Sequence, residues 1–328
     1  MLHLRNVLLF SIATVLLFAG THTSAAPYDP LTPLPDQTHS EEITLHDNQR
    51  NRDIPLRIYL PATLSPAPLI LFSHGLGGSR EGNAYTGEYW SQRGYVVVAM
   101  QHAGSDEAIW QGKSVLQMMP DMKQAASGTN LVSRINDVHS VIDQLTQLNS
   151  ANGNALYHRL DLQRIGMSGH SFGAVTTEAV SGQTFPAALH YTDPRIKAAL
   201  AFSPSVPRQQ TAEQAFSVVP IPWMLMTGTE DNSRLVGTTA ASRLAVYPAL
   251  PPGDKYELVL YRAEHSAFTD RPLMGDREQR NANHHRVILA LSTAFWDAYL
   301  KNDAAAKAWL QGHGPRTVMQ AQDRWQWK

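Results

Sequence analysis

The segment Gly169-His170-Ser171-Phe172-Gly173 sets a serine between two glycines in the pattern G-x-S-x-G. A serine hydroxyl attacks a carbonyl only when a base takes its proton, so the motif calls for a histidine and a carboxylate that orients it. An apolar stretch around Ile165 and Met167 leads in, and Ala174, Val175 and Ala179 continue as a helix-compatible segment. That strand–turn–helix context lifts the Ser171 hydroxyl clear of a sheet. It also aims the Phe172 N–H and the helix N-terminus at the point where an oxyanion develops. In such an arrangement the acid and then the base follow the serine along the chain, each after a later strand. Asp231 stands just past the run 223–227 and His265 just past 255–261, so we expect Asp231 as acid and His265 as base, with Glu230 the competing acid. A second oxyanion donor is expected from Ser73-His74-Gly75-Leu76-Gly77-Gly78-Ser79, where glycines allow close approach and favour the Leu76 N–H. No G-x-G-x-x-G or Walker pattern is present there, which gives nucleotide binding no support.

These residues need a sheet to hold them. Residues 43–45 and 56–60 alternate with period two, and Pro55 suits a sheet edge. Residues 69–72, 95–100, 198–202 and 223–226 are continuous apolar runs of the kind buried on both faces, and 255–261 closes the set. Leu131, Ile135, Val138, Ile142, Leu145 and Leu148 form one helical stripe, and Val287, Leu291, Ala294, Phe295 and Leu300 form another. The alternation predicts one α/β domain over 41–310, with a mostly parallel central sheet of about eight strands covered by helices on both faces.

The ends read differently. Residues 1–26 have the form of an export signal, with Arg5, an apolar run over 7–18 and small residues Ser24-Ala25-Ala26, and so predict a periplasmic or secreted protein. That run is short of the roughly 20 residues a spanning helix needs, so no stable membrane insertion is expected after cleavage. Residues 27–40 are a Pro-rich lead-in, and 311–328 a polar, partly docked tail carrying Trp325 and Trp327. With 27 Lys and Arg against 28 Asp and Glu, the 328-residue chain lacks the basic footprint of a nucleic-acid or anionic-membrane binder. Zero cysteine excludes thiol nucleophiles, thiolate metal sites and disulfide frameworks. His284 and His285, adjacent on a helix, point in different directions and read as a surface pair, so no metal site is expected.

Taken together, Phe72-Ser73-His74-Gly75-Leu76-Gly77, Gly94-Tyr95-Val96-Val97, Arg134 with Asp137, and the Ser171 motif make the sequence resemble an α/β-hydrolase. More narrowly it resembles bacterial dienelactone-hydrolase-like proteins akin to platelet-activating-factor acetylhydrolase. The resemblance implies ester hydrolysis through an acyl-enzyme, a small-molecule ester as substrate, Leu76 and Phe172 as oxyanion donors, and no cofactor. Two departures narrow it. Dienelactone hydrolases of this kind use cysteine where Ser171 stands, and the acetylhydrolases place their acid after the strand ending at Phe202, where this chain has Ser203-Pro204-Ser205. The connections 103–130 and 203–220 are long enough to build a pocket, with Trp110 and the methionines Met118, Met119 and Met122 as an apolar wall for a short acyl chain or aromatic ring. The same residues could equally pack a short helix onto the core. Acyl transfer or thioester cleavage would use the same triad, and a non-catalytic binding protein could share the fold.

Overall fold

Strands form where the apolar runs lie, and alternation of side chains across them feeds a core on each face of the sheet. The computed structural model describes residues 27–32, 38–233, 235–273 and 276–328. Its strands are β1 (His39–Asp47), β2 (Arg52–Leu60), β3 (Ala67–Ser73), β4 (Val96–Met100), β5 (Leu160–His170), β6 (Thr184–Phe185), β7 (Leu189–His190), β8 (Ile196–Phe202), β9 (Trp223–Glu230), β10 (Lys255–Glu264) and β11 (Arg324–Trp327). Its α-helices are α1 (Ala84–Gln92), α2 (Val115–Ala125), α3 (Gly128–Ser150), α4 (Phe172–Val180), α5 (Ala212–Phe216), α6 (Ala240–Arg243), α7 (Val246–Ala249), α8 (Ala282–Leu300) and α9 (Ala304–Gln311). β6 and β7 pair only with each other, and the rest make one nine-stranded sheet in the order β1-β2-β4-β3-β5-β8-β9-β10-β11. The six strands from β4 to β10 run parallel, while β1, β2 and β11 are antiparallel to their neighbours.

Both predicted helical stripes bury. On α3, Ile135, Val138, Ile142 and Leu145 pack beneath one face of the sheet with Leu69 and Leu71 of β3. On α8, Val287, Leu291, Ala294, Phe295 and Leu300 pack under the other with Ile70 and Phe72 of the same strand. Each stripe starts from a capped end: the Ser127 hydroxyl accepts from the Asn130 N–H, and the Asn281 side-chain Oδ1 from the Asn283 N–H. Among the described residues no helix is long and apolar enough to cross a membrane.

Several expectations need correction. The sheet has nine strands, not eight, because Arg324–Trp327 in the tail pairs with β10, and the Trp325 ring stacks on Tyr256 at 5.5 Å. Pro55 is not on the edge strand: β2 lies between β1 and β4. Its carbonyl accepts from Gln101 just beyond β4, so the missing N–H falls where that ladder ends. The lead-in is anchored, since the Tyr28 hydroxyl donates to the buried Asp297 carboxylate of α8. His284 is buried, its Nε2 facing the Tyr261 carbonyl, and His285 stacks flat on Tyr85, so neither is a free surface histidine. The export signal of 1–26 and part of the lead-in, 33–37, lie outside the described residues.

Candidate active site

Ser171 occupies the one-residue turn between β5 and α4, with φ 57° and ψ −113°. An L-residue adopts this left-handed backbone only where its surroundings hold it there. The turn is held by two flanking glycines. A Cβ on Gly173 would lie 1.8 Å from the Ser73 carbonyl oxygen, and one on Gly169 2.3 Å from the Gly173 oxygen. Backbone bonds finish the turn: the Ser171 N–H donates to Phe202 at the end of β8, and the Val175 N–H to Ser171.

His265 follows β10 in a short 3-10 turn that the buried Phe268 anchors against Phe202 and His170. Its Nε2 lies 2.9 Å from Ser171 Oγ, and its Nδ1 lies 2.7 Å from Asp231 Oδ1. Asp231, just past β9, is fully buried, and its Oδ2 accepts from the Thr227 hydroxyl. Glu230, the last residue of β9, is exposed and makes no side-chain bond to His265 among the described hydrogen bonds. The structure therefore brings Ser171, His265 and Asp231 into one hydrogen-bonded line and leaves Glu230 outside it.

Burial pushes the Asp231 carboxyl up, but the Arg243 guanidinium and then His265 outweigh it and hold the group well below the usual carboxylate range. Arg243, on α6, is itself buried. Its Nε makes a 3.0 Å ion pair with Asp231 Oδ1, its Nη1 donates to the Ser203 and Pro204 carbonyls, and its Nη2 sits 3.3 Å from His265 Nδ1. One cation thus ties the carboxylate to the loop after β8. On the other flank, burial and then His265 push the His170 imidazole well below its ordinary value. A neutral His170 donates from Nε2 to the His265 carbonyl at 3.1 Å.

The loop after β3 passes beside the serine. A Cβ on Gly75 would stand 3.5 Å from Ser171 Cβ and 3.2 Å from His170 Nδ1. Neither the Leu76 N–H nor the Phe172 N–H is engaged by another protein group among the described hydrogen bonds. Trp110 donates from its indole N–H to the Gly77 carbonyl at 2.6 Å and keeps its ring partly exposed. Met118 and Met119 lie on α2, outside the hydrogen-bonded centre, and it is Met122 that joins Trp110 against Gly77.

Arg243 and His170 escape sequence reading. Arg243 lies in a short helix with no apolar period, marked only by its Thr239 cap, and His170 is a variable position of the motif. Chemically, a hydroxyl, an imidazole and an ionised carboxylate in line can generate an alkoxide-like nucleophile and return a proton to a leaving group.

Two family models match parts of the chain. A family model described as PET hydrolase-like matches residues 123–277, the stretch that carries Ser171, Asp231 and His265. A model of platelet-activating factor acetylhydrolase, isoform II, matches residues 60–124, which include the loop with Leu76. Both are families of α/β-hydrolase serine esterases. No curated protein matches the chain at a significant level.

Proposed function

We propose that this carboxylic ester hydrolase of the α/β-hydrolase fold cleaves neutral, short-acyl or aromatic esters through an acyl-enzyme on Ser171. The observation that carries the reading is the line from Ser171 Oγ through His265 to Asp231, at 2.9 and 2.7 Å. Ser171 Oγ attacks the ester carbonyl as His265 Nε2 takes its proton, and the carbonyl oxygen becomes an oxyanion facing the Leu76 and Phe172 N–H groups. Collapse of the tetrahedral adduct breaks the bond to the alkoxy oxygen, which leaves with the proton from His265. Water then repeats the sequence on the acyl group, and carboxylate and free serine result. Asp231, ionised and anchored by Thr227 and Arg243, holds the Nδ1 proton of His265 and stabilises the imidazolium that forms. The partly exposed Trp110 ring beside Gly77 supports an apolar acyl or aryl group next to the oxyanion loop.

We also infer that the protein is exported, on the pattern of residues 1–26. Mass spectrometry of the N-terminus from an extracytoplasmic fraction tests this, and a chain retaining Met1 would reject it. For the reaction, the wild type is expected to hydrolyse short-chain p-nitrophenyl esters and to be labelled by a fluorophosphonate probe. Ser171→Ala is expected to lose both, falling by about 10⁶ in kcat. Turnover surviving in Ser171→Ala would sink the mechanism.

A further inference from the structure

A second Ser-His-Asp line lies behind the first. Ser73 Oγ is 2.9 Å from His102 Nε2, and His102 Nδ1 is 2.9 Å from Asp137 Oδ2, with all three side chains fully buried. No substrate can reach it, so the arrangement serves the architecture. Burial pushes the Asp137 carboxyl up, but hydrogen bonds from His102 and Arg52 overcome this and bring it to about 2. Its oxygens are taken by Arg50, Arg52 and His102. Arg134, one turn earlier on α3, is also fully buried and has no carboxylate within ion-pair distance among the described residues.

The guanidinium of Arg134 turns to the oxyanion loop. Its Nη1 donates to the His74 carbonyl at 2.7 Å and to Ser73 Oγ at 3.2 Å, and its Nε donates to Ser105 Oγ at 2.8 Å. Its Nη2 lies 3.2 Å from His74 Nδ1, and its Cζ stands 4.5 Å over the Phe172 ring. Burial, then Arg134, push the His74 imidazole well below its ordinary value, so it is neutral. The His74 Nε2 accepts from the His102 N–H at 3.0 Å, which leaves the proton on Nδ1, facing the Gly75 carbonyl at 2.6 Å. The Gly75 carbonyl and the Leu76 N–H belong to one planar trans peptide and point in opposite directions. Holding the carbonyl against His74 therefore turns the Leu76 N–H the other way. The Gly78 N–H, bonded to the same oxygen at 3.0 Å, reinforces this.

We propose that Arg134 is the positioning residue of the oxyanion hole: gripping the His74 backbone carbonyl and the Ser73 and Ser105 hydroxyls, it seats His74, whose Nδ1–H locks the Gly75–Leu76 peptide with its N–H presented to the oxyanion, and it braces Phe172, the other donor residue, across its ring. The proposal rests on the ester-hydrolase reading above. Without the brace, His74 is no longer seated and the Gly75 carbonyl is left to the Gly78 N–H alone, a weaker hold on the peptide that must present the donor.

The test compares wild type, Arg134→Met and Arg134→Lys in kcat, KM and inhibition by two ketones of one scaffold. A trifluoromethyl ketone adds to Ser171 and carries an oxyanion, whereas the matching methyl ketone binds without one. Arg134→Met is expected to lose about 10²–10³ in kcat, the usual cost of one oxyanion donor, with KM within about threefold. Trifluoromethyl ketone affinity is expected to fall in parallel while methyl ketone affinity holds. Arg134→Lys keeps the charge without the fork and should fall between, about tenfold below wild type. If Arg134→Met does not fold, Arg134→Lys decides alone, and wild-type values there for both kcat and the trifluoromethyl ketone overturn the proposal. Equal losses for the two ketones also overturn it. An active wild type with either result rejects this inference only, whereas a wild type neither active nor labelled rejects the ester-hydrolase reading with it.

Discussion

At the scale of single residues, the centre separates two neighbours that sequence alone leaves in competition. Asp231 is fully buried and bonded to His265, and Glu230, one residue earlier, is exposed. Asp231→Asn is expected to lower kcat by about 10⁴ by favouring the wrong histidine tautomer. Glu230→Gln should stay within about twofold of wild type, and the larger loss at Glu230 would reverse the assignment. Ser171, Asp231 and His265 were legible because each stands just past an apolar run, where an open α/β sheet gathers its chemistry. Arg243 was not, because a buried arginine declares itself only through the carboxylate and carbonyls it meets in space.

At the scale of elements, α4 carries a cost beneath the serine. Glu178 is buried, accepts at Oε1 from the Ser205 N–H, and has no partner at Oε2 among the described residues. Burial raises its carboxyl to about 8, against lowering by the Ser205 N–H and Arg243. Between the ordinary carboxyl value of 4.5 and about 8, the fold keeps a proton that the unfolded chain releases, so stability falls as pH rises through that window and levels off above it. Glu178→Gln removes the dependence. Its melting temperature relative to wild type is expected to rise by several degrees between pH 4.5 and 8.5, and a pH-independent difference would count against a neutral Glu178. The α3 and α8 stripes were readable in advance because period and burial coincide there. Arg134 and Asp137 stood out in the sequence only through the resemblance, and their joining with Ser73 and His102 was not readable, since those partners meet α3 only once β3 and β4 are assembled against it.

At the scale of the whole molecule, the ninth strand changes how the sheet ends. Four residues of a polar tail, Arg324–Trp327, cover β10 and bring Lys328 to the start of that strand, with the Lys328 and Lys255 backbones exchanging hydrogen bonds. So short a segment carries too little pattern to mark a strand, and its pairing depends on Tyr256 offering a ring to Trp325. Deleting 324–328 is expected to bare a β10 edge whose partner groups are then unpaired. A lower melting temperature and increased light scattering on heating should follow, and an unchanged melt would show the strand to be dispensable.

The crowding around Ser171 bears on how such a centre can change over generations. Gly169 and Gly173 admit no side chain at all without displacing the Ser73 or Gly173 backbone, so the nucleophile's position closes its neighbourhood to drift. The acid is confined differently: Asp231 is buried and its oxygens are taken by His265, Arg243 and Thr227, so a carboxylate in its place must satisfy the same three partners.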